Sequence, residues 1–319
     1  FMMEPSKFGM TLSNPNKKNK TKSRKIDTLV QALLRLVTIL SASIIFFIIF
    51  FIAQRGIKPF IGYGELNVNL GHFITGNTYF QLPNVYGIGF VILNTLIVVF
   101  FAILISAPIG VLTALFISRM MPKPFNKVFL IIVEMLASIP SIIYGVFGAG
   151  FITKLVNGLA TLLGMQTAGG LSGLSVVLVL AMMILPTITL MSVTAINAVN
   201  RDIELGSMAL GATSTYTYFK ISLPAAKSGI FAGIILGVGR ALGEATAVSM
   251  VAGNAGTGPN FNLFDTTRTL TSSMLLGLKE TTGLDYDIRF SIGVVLIIVI
   301  LISNMALNYV KKKVGSRYV

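Results

Sequence analysis

The stretch GIFAGIILGVGRALGEATAVSMV, residues 229–251, decides the fold class. A helix crosses the hydrocarbon core of a bilayer with about 20 predominantly apolar residues. This stretch has that length, and its only ionisable side chains are Arg240 and Glu244. Five further stretches read the same way: 32–53, 88–118, 128–152, 174–196 and 290–310. The second is too long for an upright span and is expected to tilt or to extend past the bilayer. Composition agrees. Of 319 residues, 54% are hydrophobic and 11% charged, against about 25% charged in a soluble domain. Mean hydropathy is +0.83. The expected fold class is an all-α polytopic membrane protein with about six transmembrane helices.

The first span follows about 30 mostly polar residues, is too long for a secretory signal and has no small-residue cleavage site behind it, so it is expected to be retained. Phe1 is not an initiator, and Met2 or Met3 is the natural start. Residues 1–31 form a basic tail, with NPNKKNKTKSRK at 14–25, whose composition predicts disorder. Residues 32–87 carry the first span and an external loop. Residues 88–319 carry five spans, with a cytoplasmic loop at 197–228.

The net charge is +14. With the N-terminus inside, eighteen of the 25 Lys and Arg residues fall on the cytoplasmic side, six fall outside, and Arg240 lies within a span. That asymmetry follows the positive-inside rule and puts both termini in the cytoplasm. The basic excess is then a topology signal with an attraction for membrane lipid. It needs no nucleic acid, and none is expected as a partner.

Ionisable groups inside spans are costly and mark function by default. Three stand out: Glu134, Arg240 and Glu244. Arg240 and Glu244 are four apart, so on a continuous helix they share a face. Two readings stay open. One is a structural ion pair that fixes helix register. The other is a cationic site for an anionic solute, with Glu244 balancing Arg240, since guanidinium matches tetrahedral oxyanions through paired hydrogen bonds. Gly229, Gly233 and Gly237 recur every four residues and make a smooth face for close helix packing. Gly239 and Gly243 flank Arg240 and also leave a solute room to reach it. Pro140 is expected to break the third span, and a broken helix inside a membrane lines a cavity. Ser141 and Tyr144 after it, and Thr187 beside Pro186, are candidates for that path, or else serve as local caps.

The cytoplasmic loop reads ELGSMALG from Glu204 to Gly211, then nine residues, then Ile221-Ser-Leu223-Pro224. A short helix holding Gly206 and Ala209 and ending at a glycine, a second short helix, and a proline before the next span predict a compact helical knob. The alternative is an amphipathic loop lying on the headgroups.

Several chemistries are excluded. Cysteine is absent and His72 is the one histidine, so there is no disulfide, thiol nucleophile or histidine cluster, and no metal or cofactor is expected. No Walker A sequence occurs, and the glycines of GVGRALGE lie mid-span after no strand, so this chain is not expected to hydrolyse ATP. No acid, base and nucleophile stand at a plausible spacing for an enzyme.

The pattern Gly211, nine residues, Ile221-x-Leu223-Pro224 resembles the EAA loop of ABC importer permeases, which docks into a cleft on the ATP-binding subunit. The likeness departs at two positions. Leu205 stands where the motif's glutamate falls, Glu204 being one place early, and Gly206 stands where alanine is usual. IPSIIYGVFG (139–148), ILPT (184–187) and GRALGEATAVSMVAGN (239–254) resemble the phosphate-specific permeases of the Pst system. RTLTSSMLLGLKETTG (268–283) is closer to the C-type subunit than to the A-type. The resemblance covers residues 86–309. It implies a type I importer fold in a bacterial cytoplasmic membrane. It also implies a sister permease (A-type, or a second copy), two ATP-binding subunits and an extracellular or periplasmic phosphate-binding protein. It gives Arg240 and Glu244 a place on the translocation path, and Gly211 and Pro224 a place in the coupling loop. A permease for another oxyanion such as sulfate or molybdate, and a stand-alone anion channel or secondary transporter, are the alternatives.

Overall fold

The computed structural model describes residues 16–81 and 84–315, so residues 1–15 of the basic tail lie outside the described residues. The chain divides into two units, 1–51 and 52–319. In the first, the backbone is helical from Asn16, so the part of the tail expected to be disordered is helix from that point. Beyond residue 27 this helix is exposed on every side, with Leu33, Ile39, Phe46 and Phe47 all outward. A helix apolar all round belongs in lipid.

The second unit begins with the last turns of α1 (Asn16–Ile61). A connecting segment follows: α2 (Leu70–Thr75), then a hairpin of β1 (Tyr79–Phe80) and β2 (Val85–Tyr86), with Tyr79 opposite Tyr86. The chain then enters α3 (Gly89–Leu115), which ends in a π turn at Phe116–Met120. After it come α4 (Lys123–Ser138), α5 (Ser141–Phe147), a second π turn and α6 (Thr153–Leu162). Next are α7 (Gly173–Asn197), α8 (Arg201–Ala209), α9 (Ser214–Thr217), a third π turn and α10 (Leu223–Gly243). The chain finishes with α11 (Thr246–Val251), α12 (Leu270–Leu275) and α13 (Leu284–Gly315).

Among the described residues, six helical runs are long and apolar enough to cross a membrane: Asp27–Ile61, Gly89–Met120, Ser141–Leu162, Gly173–Asn197, Ser214–Gly243 and Leu284–Lys313. Helix α7 is the most buried of them and packs along both α3 and α10. Its inward residues, Val176, Leu180, Met183, Ile184 and Ile188, join Val98 and Ala102 of α3 and Val238 and Leu242 of α10 in the main core.

Three expected spans are redrawn. The third was placed at 128–152, but α4 stops at Ser138 because Pro140 offers no amide hydrogen to continue it. The membrane-length run lies on the far side of the proline. The fifth was read as continuous through residue 251, but α10 ends at Gly243 and Glu244 adopts an extended backbone, φ −76° and ψ 116°. The sixth begins earlier than expected, so Asp287 and Arg289 are buried in the first turns of α13. Both have partners that make burial tolerable. Arg55 Nη1 stands 3.2 Å from Asp287 Oδ1, and Arg289 donates to the Ser273 carbonyl at 2.9 Å.

The two long loops, at 62–88 and 252–283, are structured and meet. Tyr79 N–H donates to the Gly256 carbonyl at 2.7 Å, and Gly258 N–H donates to the Asn77 carbonyl at 3.1 Å. Phe73, Tyr86, Ile88 and Phe90 pack with Leu270, Ile288 and Ile292 into a second core beneath this layer.

Candidate functional site

Arg240 occupies the last turn of α10, and its Nη1 donates to Thr187 Oγ1 at 2.9 Å. Thr187 follows Pro186, the residue that interrupts the backbone ladder of α7. The expected Arg240–Glu244 ion pair does not form. The helix ends between them, so the four-residue spacing no longer places both side chains on one face. Glu244 turns to the next element instead. Its Oε1 accepts the Ala247 N–H at 3.0 Å, in the first turn of α11, and its backbone carbonyl accepts the Thr271 hydroxyl at 2.7 Å. A carboxylate is well placed at a helix start, where amide hydrogens lack partners. The result is a guanidinium with a single neutral partner among the described residues, beside a break in its helix.

The glycines of α10 divide into two sets. A Cβ at Gly229 would meet Ala195 Cβ at 2.5 Å, and one at Gly233 would meet Met191 Cβ at 2.7 Å. At Gly237 it would stand 3.1 Å from Ile188 Cγ1. These three press α10 onto α7. A Cβ at Gly239 or Gly243 would meet nothing within 4 Å, so there is space beside the backbone on either side of Arg240. A mostly apolar cavity of about 340 Å³ adjoins the break, lined by Gly243, Ala245, Thr271, Met274 and Arg289.

The other path candidates separate. Tyr144 is buried, and its hydroxyl donates to the Leu136 carbonyl at 2.8 Å, bridging the proline break. Its neighbour Gly145 lies against α11, where a Cβ would stand 2.9 Å from Ala247 Cα. Ser141 opens α5 and is half-buried. Glu134 stands exposed on α4 and forms no ion pair among the described residues. The structure therefore brings Arg240 and Thr187 together, sets Glu244 beside the same break, and leaves Glu134 apart.

The loop at 197–228 folds as two short helices, α8 and α9, which together form a knob. Helix α8 starts with Asn200 capping the Asp202 N–H at 3.0 Å, and α9 starts with Thr213 capping Tyr216. Gly211 turns the chain between them at φ +89°, in the left-handed region that favours glycine. The knob is tied to the end of α3 by Glu204. That carboxylate is 5% exposed and its Oε1 accepts from Arg119 Nε and from Ser222 Oγ, both at 2.7 Å. Arg119 also reaches the Ile196 carbonyl at 2.8 Å and Asn197 Oδ1 at 3.2 Å. Glu204 was singled out from the sequence; Arg119, 85 positions away, gave no local signal. The far side of the knob exposes Leu205, Leu210, Tyr216 and Phe219, with Ala209 and Gly206 also exposed, while Ile221, Leu223 and Pro224 lead half-buried into α10.

At the opposite end, Asp287 gathers Arg55, Lys58 and the Tyr63 hydroxyl, which donates to Oδ2 at 2.8 Å. Burial, then that hydrogen bond, push the Tyr63 phenol up to about 12. Tyr86 hydrogen-bonds Asp285 and is raised by burial first and that bond second. Arg268, over the Tyr79 ring at 4.8 Å, is lowered by burial.

A family model described as binding-protein-dependent transport system inner membrane component matches residues 106–318. The chain is 33% identical over 265 residues to the probable ABC transporter permease protein YqgH of Bacillus subtilis, a match covering 82% of this chain and 84% of that protein. It is 30% identical over 296 residues to the phosphate transport system permease protein PstC of Haemophilus influenzae, covering 88% and 93%. PstC of Pasteurella multocida is 30% identical over 271 residues, covering 77% and 82%. Among solved structures, a chain of a bacterial alginate ABC transporter in complex with an alginate pentasaccharide-bound periplasmic protein superimposes with a TM-score of 0.64 at 20% identity. That match covers 93% of this chain and 99% of the other, and it establishes a shared fold.

Proposed function

The chain belongs to the inner membrane components of binding-protein-dependent transport systems, as a multi-pass ABC importer permease subunit, and from that premise we propose that its solute is inorganic phosphate. The observation that carries this reading is Arg240, a guanidinium held by one neutral hydroxyl at a helix break with space beside the backbone on both sides. Such a group offers paired donors to a tetrahedral oxyanion. The relatives named PstC point to the same ion.

In this reading both termini face the cytoplasm, as the charge asymmetry favours. The α8–α9 knob faces two ATP-binding subunits, which dock on its exposed Leu205, Leu210, Tyr216 and Phe219. A sister permease, or a second copy, completes the pore, and a phosphate-binding protein delivers solute at the outer face. ATP binding in the partner moves the knob, α10 carries the motion to Arg240, and the ion is held only transiently, because a tightly held solute does not leave. Glu244 and Thr187 position the break rather than bind the anion. ATP hydrolysis belongs to the partner, and this chain is a transport component.

Arg240→Gln tests the proposal in the assembled complex. Phosphate uptake falls to background while the subunits still co-purify. Uptake at the normal rate in that variant removes Arg240 from the path. Phosphate-dependent ATPase activity of the purified complex, with sulfate and molybdate as controls, checks the identity of the ion.

A further inference from the structure

The segment RTLTSSMLLGLKETTG, residues 268–283, has no part in the site around Arg240. With the hairpin and the turn after Gly253 it walls a polar cavity of about 490 Å³ on the outer side. Arg268 and Arg289 both line it, with Asn254, Ser273, Thr281 and one acid, Glu280.

The two arginines are held differently. Arg289 is 3% exposed and braces the turn between α12 and α13. Its Nε donates to Thr281 Oγ1 at 3.2 Å and its Nη1 to the carbonyls of Ser273 and Leu276. These three bonds leave Nη2 over. Arg268 is half-buried and lies over the Tyr79 ring at 4.8 Å, but it makes no hydrogen bond among the described residues; its Nε and Nη1 are buried without a hydrogen-bond partner. Neither arginine has an ion pair among the described residues, so Glu280 does not neutralise them by contact. On the same wall, Asn254 holds a left-handed backbone, φ 53°, and its Oδ1 is buried without a partner.

A buried cation without counter-charge is expensive, and each unpartnered buried polar group in a native fold calls for an explanation. Here two guanidinium groups and an orphan acceptor share one chamber. Arg289 also lines the apolar cavity that reaches Gly243, three residues beyond Arg240. The two cavities are thus neighbours across one side chain.

We infer that the outer cavity is a second anion site, in which Arg268 and Arg289 hold a tetrahedral oxyanion before it passes to Arg240. Arg268 is the binding residue whose loss matters most, since Arg289 is largely committed to its turn. The inference rests on the oxyanion part of the function proposed above, not on the ion being phosphate.

Arginine-specific modification by phenylglyoxal, read peptide by peptide on the full chain in lipid nanodiscs, tests it. Inorganic phosphate at ten times its dissociation constant should slow modification of Arg268 about tenfold, and chloride should not. The same protection should persist in Arg240→Gln. An unchanged rate at Arg268 across millimolar phosphate overturns the site. Protection that vanishes in Arg240→Gln overturns its independence. Equal protection by sulfate supports the outer site and removes the phosphate reading instead. Normal uptake in Arg240→Gln with Arg268 still protected does likewise for Arg240. Thermal unfolding of each variant confirms that it is folded.

Discussion

Arg119 and Arg240 stand at opposite ends of the same machinery and are treated in opposite ways. Arg119, at the end of α3 beside the α8–α9 knob, meets a buried carboxylate, a backbone carbonyl and an amide side chain. Arg240, at the end of α10, meets one threonine hydroxyl. A saturated guanidinium is a fastening, with no donor pair to spare for a ligand. One held by a single hydroxyl keeps donors to spare for a ligand. The two predict opposite mutational signatures, one in stability and the other in transport.

The largest expected effect is at the fastening. Glu204→Ala leaves Arg119 buried without its counter-charge, both side chains being about 5% exposed in the pair. Breaking a buried pair in this way costs about 3–5 kcal/mol. The thermal midpoint in detergent should fall sharply, and an unchanged midpoint would mean the pair does not hold the knob. Arg240→Met should do the reverse. Its stability should stay within about 1.5 kcal/mol of the parent, the scale of one hydrogen bond, while uptake is lost. A large fall in stability there would erase the contrast between the two arginines.

Thr187→Val is a finer probe. It removes the one hydroxyl on Arg240 and should change the stability or the uptake barrier by about 0.5–1.5 kcal/mol, at most about tenfold in rate. Loss as complete as with Arg240→Met would make the hydroxyl part of the binding set. The smallest effect is at Tyr63, whose raised phenol donates to Asp287. A raised pKa means the contribution is complete below about pH 10 and is lost as pH rises through about 12. The ultraviolet titration difference between parent and Tyr63→Phe should therefore rise near 12. A step near 10 would dissolve that contact.

The spans were legible because lipid demands long apolar helices, and the chain supplies them at 88–118 and 174–196 almost as they fold. Pro140 was also legible as a break, since proline carries its own signal. Which side of the break crosses the membrane was not, because Lys154 and Asn157 dilute the run that does. The end of α10 was hidden for a related reason. GRALGEATAV has no proline, and only the capping of Ala247 by Glu244 reveals that the carboxylate starts a new helix. The three arginines away from Arg240 were the least visible. Arg119, Arg268 and Arg289 read as ordinary loop charges, and their surroundings come from residues far away in the chain.

The glycine contacts of α10 have a mechanical consequence. From Leu223 to Gly243 the helix is 21 residues, a rod about 30 Å long at 1.5 Å per residue. Gly229 sits against Ala195 near its lower third, with no side chain to cushion the approach, and so serves as a fulcrum. The arm from there to Arg240 is about 16 Å. A tilt of about 10° swings its tip by about 3 Å, which exceeds the stretch a hydrogen bond survives. A lever stroke at the knob that pivots α10 at Gly229 and lifts Gly233 and Gly237 off α7 would therefore part Arg240 from Thr187.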